Sequence, residues 1–176
     1  MKTLGTICLL GAAVLGLAAG GEPLLAGSAS GWPAPEPSVR SRFIGVWKLV
    51  SCERKSSSGE VSYPYGENPV GRITYDKAGR MSAQLMRPGP RPASGTTLRS
   101  ASPDELRDVL GFFAYFGTFD IDEPARTVIH HVQAGLAPSL VGTDLKRTYE
   151  FSGNRLILTA RTEDAVTRLV WEREPD

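Results

Sequence analysis

The stretch "GRITYDKAGRMSAQLM", Gly71 to Met86, alternates side-chain character with a period of two on both sides of Asp76-Lys77-Ala78-Gly79. That is the period of a strand, whose successive side chains face opposite sides of a sheet. Gly79 is available for the left-handed position that a tight turn needs. The stretch therefore reads as a β-hairpin, and the pattern recurs along the chain. "YFGTFDID" and "TVIHHVQA" form a second pair across Glu123-Pro124-Ala125-Arg126. "LKRTYEFSGNRLILTAR" is a third, turned at Ser152-Gly153-Asn154. "GVWKLVSCER", a short strand near Glu60–Tyr63 and the final "TRLVWERE" bring the total to eight or nine strands. Short strands at hairpin spacing predict an all-β sandwich or an up-and-down antiparallel barrel.

One short helix is expected to interrupt them. In "SPDELRDVLGFF", Ser102 takes the N-cap, Pro103 the first helical position and Glu105 completes a capping box. The loop before it, "RPGPRPASGTTLRSA", joins the helix in a segment over 87–112 that reads either as a lid on one barrel end or as a plain surface connection. The basic residues Arg87, Arg91 and Arg99 in that loop read as solvated.

The N-terminus has a different character. "MKTLGTICLLGAAVLGLAAG" places Lys2 before an apolar run from Leu4 to Leu17 and then small residues, the layout of a secretory signal. The run is short of the roughly 20 residues of a membrane span. Residues 1–20 are thus expected to be removed, with cleavage extending as far as Ala29, and a secreted or periplasmic product follows. Residues 21–42, rich in Pro, Gly, Ala and Ser, read as a linker. One domain remains, 43–176. Its size, ~130 residues, suffices for a core held by apolar burial. Cys52 is the single cysteine beyond the signal, so no disulfide forms within the domain. A net charge of +1 gives no electrostatic case for nucleic acid or an anionic membrane surface.

Alternation assigns side chains to faces. The inward set comprises Trp47, Leu49, Ser51 and Glu53 of the first strand, and Leu169, Trp171 and Arg173 of the last. Tyr115, Phe119 and Ile121 join it, as do Arg147, Tyr149 and Phe151. The only two histidines, His130 and His131, are adjacent and must face opposite ways, so they cannot share a metal ion. With a single cysteine, Cys52, and no third histidine to help, no metal site is expected. His130 shares its face with Val128 and Val132 and is placed inside, near Arg147, Tyr115 or Glu53. His131 is placed outside. A single polar point on an apolar wall is how small-ligand cavities fix orientation, though a core histidine without a ligand fits the same pattern. Asp120 and Asp122 read as part of a solvated turn.

The segments "FIGVWKLVSCE", "PYGENPVGRITYDKAGRMSAQLMRP", "TVIHHVQAGLAPSLVGTDLKRTYEF", "NRLILTA" and "RLVWER" together resemble the lipocalin-like domain family of bacterial and fungal proteins. The resemblance spans Phe43 to Arg173. It implies a calycin-type β-barrel, closed at one end and open at the other. It also implies that Gly45-Val46-Trp47 and Arg173 form the structural closed end. The chain lacks the disulfide and the middle-loop signature of the classical lipocalins. Related small barrels include isomerases and cyclases.

Three functions follow. The first is an exported barrel that binds a small, mostly hydrophobic molecule through His130, Arg147, Tyr115, Tyr149, Glu53 and Trp171, with no cofactor. The second is an isomerase- or cyclase-type enzyme in which His130, Tyr115 or Glu53 moves protons. The third is a filled barrel without a ligand. No nucleophile elbow, phosphate loop or dinucleotide fingerprint is present. The binding reading is the one carried forward.

Overall fold

A computed structural model describes residues 37–89, 100, 102 and 111–175. The strands are β1 (Gly45–Ser56), β2 (Val61–Ser62), β3 (Val70–Tyr75), β4 (Arg80–Met86), β5 (Phe112–Asp122), β6 (Thr127–Gly135), β7 (Asp144–Ser152), β8 (Arg155–Arg161) and β9 (Ala165–Arg173). A short helix, α1 (Val39–Phe43), precedes them, and a 3-10 turn, Pro138–Leu140, links β6 to β7. Every neighbouring pair is antiparallel, in the order β2-β1-β3-β4-β5-β6-β7-β8-β9, and β1 pairs again with β9. Eight strands thus close into a barrel, with β2 added beside the far half of β1. Closure leaves those eight no free edge along the seam.

The period of two governs burial. Ile73 and Tyr75 of β3, Met81, Ala83 and Leu85 of β4, and Leu156 and Leu158 of β8 are all buried, and their chain neighbours are not. The β3–β4 turn closes as expected, with Gly79 at φ +85°.

Two expectations change. The linker read over 21–42 ends sooner, because Ser38 caps α1 by accepting the backbone N–H of Ser41 at 3.2 Å. Four residues before Phe43 are therefore helical. In addition, Phe112 and Phe113, expected at the end of a helix, begin β5 instead. The rest of that expected helix, the loop before it and the signal segment lie outside the described residues. No described helix is long and apolar enough to cross a membrane.

Helix α1 closes one end of the barrel. Phe43, fully buried, meets Tyr75, Tyr149 and Phe151 edge-on, with ring centroids 5.3, 5.2 and 5.0 Å apart. Arg40 and Arg42 lie over Phe119 and Phe151 at 4.5 and 4.2 Å. Beneath the helix, Trp47 donates its indole N–H to the Phe43 carbonyl at 2.8 Å. Arg173, paired across the seam with Trp47, stacks 4.1 Å over its ring. Its guanidinium donates to the carbonyls of Ile44, at 2.6 Å, and Arg42. Gly45 must be glycine here. Its φ is +131°, and a Cβ would stand 2.6 Å from Arg173 Nη1. This end is therefore plugged by aromatic packing with its polar atoms satisfied.

Candidate ligand-binding site

The other half of the barrel is not filled. A cavity of 170 Å³ lies among Cys52, Tyr65, Ile73, Ala83, Leu85, Phe113, Tyr115, Arg147, Leu158, Ala160, Thr167, Leu169 and Trp171. These side chains come from seven barrel strands and from the β2–β3 connection, so the barrel wall itself shapes the space. Two larger depressions, of 390 and 440 Å³, lie elsewhere. One sits beside α1 among Arg42, Glu123, Arg126 and Tyr149, and the other on the outside of β3 and β4 around Val70, Gln84 and Phe112. Neither is walled by facing strands, and the interior cavity is the better ligand site despite its smaller volume.

His130 stands between the filled half and the cavity. It is fully buried. Its Nε2 is 2.8 Å from the Tyr75 hydroxyl and its Nδ1 is 2.8 Å from the Tyr115 hydroxyl. Both nitrogens are thus engaged. Burial, first of all, and then the nearby charges of Arg147 and His131 hold its pKa well below the ordinary 6.5, so the ring is neutral. Burial also raises the pKa values of Tyr75 and Tyr115 above the usual phenol value. The trio is uncharged at neutral pH.

A neutral imidazole has one N–H and one acceptor nitrogen. One tyrosine must donate to the ring and the other must accept from it. Tyr75 is 1% exposed, and among the described residues His130 is its only hydrogen-bond partner. If Tyr75 accepted, its own hydroxyl hydrogen would be buried with no acceptor, which costs about 1–3 kcal/mol. Tyr75 therefore donates to Nε2, Nδ1–H donates to Tyr115, and the Tyr115 hydroxyl hydrogen is free to turn into the cavity that Tyr115 lines.

The expected site residues separate into two groups. Tyr115, Arg147 and Trp171 line the cavity, and His130 sits behind Tyr115. Glu53 and Tyr149 do not line it. In β1 the register with β9 slips between Leu49 and Ser51. The extra residue of this β-bulge reverses parity, since one inserted position turns every later side chain to the other face. Cys52, opposite Leu169, becomes the buried inward residue, and Glu53, opposite Arg168, turns outward. Ser51 loses its inward place for the same reason. Tyr149 does face inward, but in the plugged half, against Phe43. Burial pushes the Cys52 thiol up to about 11 and the Tyr65 phenol up to about 12, so both stay protonated. Tyr75 was missed, although it shares a strand face with Ile73 and period two alone places it inside.

His131 faces out but is not bare. Its Nδ1 lies 2.6 Å from Asp144 and its Nε2 3.2 Å from Asp120. Asp120, 70% exposed near the end of β5, also reaches Arg40 at 3.7 Å, so this solvated carboxylate joins a surface ion network.

The geometry defines a class: a closed antiparallel barrel, plugged at one end by a Gly-x-Trp strand and an arginine, with a ligand-sized space in the other half. A family model for the lipocalin-like domain matches residues 44–174, and the chain belongs to that family. The chain is 34% identical over 86 residues to the 4'-hydroxy-3'-methoxypropiophenone carrier protein of Aspergillus oryzae, covering 45% of this chain and 78% of that protein. Among solved structures, a point mutant of the fluorescent protein UnaG aligns at TM-score 0.37 and 8% identity, over 77% of this chain and 98% of that one.

Proposed function

We propose that this protein carries a small, mostly apolar molecule in the interior of its barrel. The observation that carries the reading is the 170 Å³ cavity, apolar on most of its wall and polar at a few fixed points. An apolar protein cavity of about 150 Å³ takes up benzene, so this one suits a molecule built on a single ring. The fungal relative, named as the carrier of a one-ring aromatic ketone, supports the same size class. An acid–base role for His130 has less support, because both its nitrogens are engaged by tyrosines and neither is left for a substrate.

The test is direct. Calorimetry should detect binding of propiophenone, a neutral one-ring ketone, and 4'-hydroxy-3'-methoxypropiophenone should compete with it. Ala160→Phe, which fills the cavity from its wall, should abolish the heat of binding while the circular dichroism spectrum stays that of the barrel. Unchanged binding in that variant would place the ketone elsewhere and sink the reading.

Export is part of the same proposal. It is supported by the charged, apolar and small-residue order of residues 1–20. N-terminal sequencing of the native product should begin between Gly21 and Ser30. A product that begins at Met1 overturns it.

A further inference from the structure

The polar points of the cavity share one property: their strongest groups are all donors. Trp171 is 1% exposed, and its Nε1–H is the one buried side-chain polar atom among the described residues without a hydrogen-bond partner. A buried N–H left unpaired costs about 1–3 kcal/mol, and Trp171 is one of the residues that line the cavity. Arg147 lines the same space, and among the described residues no carboxylate or carbonyl meets its guanidinium. An arginine is always charged and offers five N–H donors. The Tyr115 hydroxyl hydrogen, released by the tautomer that Tyr75 imposes on His130, is the third donor. Among the described lining residues there is no Asp, Glu, Asn or Gln.

We propose that the ligand is a one-ring organic anion whose terminal oxygen, a carboxylate or an ionised phenol, is received by Trp171 Nε1–H, the Arg147 guanidinium and the Tyr115 hydroxyl. This rests on the carrier reading above and specifies the chemistry of its cargo. Its logic is complementarity. A neutral ligand would leave the arginine uncompensated in a half-buried site, and a cation would be repelled. An anionic acceptor satisfies all three donors through charge-assisted hydrogen bonds. The apolar remainder of the wall, Ile73, Ala83, Leu85, Phe113 and Leu158, takes the ring.

Cinnamate and cinnamamide have the same carbon skeleton and differ in charge, so they separate anion recognition from apolar burial. Calorimetry on the wild-type protein should give cinnamate an affinity about tenfold or more above that of cinnamamide, the difference a charged hydrogen-bonded contact supplies. Arg147→Met should bring cinnamate down to the level of the amide and change the amide by less than about threefold. Trp171→Phe should weaken cinnamate while the barrel spectrum is kept. In the wild-type protein, the indole N–H proton resonance of Trp171 should move downfield with cinnamate and not with the amide, a readout that needs no variant. Equal affinities for the two probes, or an Arg147→Met variant that binds cinnamate as before, would overturn the inference. If propiophenone binds and neither cinnamate nor cinnamamide does, the anion site is wrong and the carrier reading stands. If none of the three binds, both fall.

Discussion

The barrel contains two tryptophan–arginine sets, one in the plug and one lining the cavity, and they are in opposite states. At the plugged end the Trp47 indole N–H has a carbonyl at 2.8 Å, and Arg173 has two carbonyls and an aromatic face. In the hollow half Trp171 has no partner for its N–H, and Arg147 has none for its charge among the described residues. The residue types are the same and the burial of the indoles is the same, 1% exposed in each. The difference is whether the fold completes the hydrogen bonds. A completed set holds the structure together. An uncompleted one sacrifices stability and is left for something outside the chain to complete.

The largest effect that would sharpen this contrast is on the two tryptophans. Trp47→Ala should cost about 3–5 kcal/mol in chemical unfolding, because a fully buried ring leaves a cavity and the Phe43 carbonyl loses its donor. Trp171→Phe keeps most of the volume and deletes an unsatisfied N–H, so its cost should stay under about 1.5 kcal/mol. Equal losses in matched Trp→Phe variants of both positions would erase the distinction. Next come the arginines. Arg173→Met should lose about 2–3 kcal/mol, from charged hydrogen bonds and the stack on Trp47. Arg147→Met breaks no internal bond and relieves an uncompensated half-buried charge, so it should leave the unliganded protein as stable as before or more so.

The smallest effect lies on β6, where neighbouring histidines face the two environments. Its signature is in pH rather than in midpoint. The hydrogen bond to Asp144, with smaller help from Asp120, raises the pKa of His131 above the ordinary 6.5. That stabilisation is complete below pH 6.5 and is lost as pH rises through the folded value. His130 runs the other way. Its folded pKa lies well below 6.5, so as pH falls below 6.5 the unfolded chain takes up a proton that the fold refuses, and stability declines. His131→Gln should flatten the unfolding free energy above pH 6.5 by about 0.2–1 kcal/mol, the scale of an exposed ion pair. His130→Gln should flatten it on the acid side. Unfolding curves at several pH values decide this, and identical pH profiles for the two variants would contradict the placement of the rings.

The strands were readable because alternation is a strong local signal, and the plug was readable through the resemblance to the lipocalin-like family, which implied that Gly45-Val46-Trp47 and Arg173 form the closed end. Glu53 was misplaced for a physical reason. The bulge near Val50 arises from how β1 meets β9, and no residue in "KLVSCE" announces it. Once parity reverses there, Cys52 and Glu53 exchange roles. Helix α1 escaped notice because five residues are too few to show a helical period. The acid partners of His131 were hidden because Asp144 is 13 positions away in sequence, and only strand register brings them together.

The seam between β1 and β9 also sets a timetable. Arg173 bonds the Ile44 carbonyl across 129 positions of chain. Contacts so distant form slowly, since the entropy of closing the loop is lost before they are gained. While the chain is being made, β1 waits with one side open until β9 emerges. A ribosome that stalls before Trp171 therefore leaves an unplugged sheet with bare strand edges, which are templates for pairing with another copy. Strand β9 is the one that separates a closed barrel from an open sheet prone to pairing with another copy.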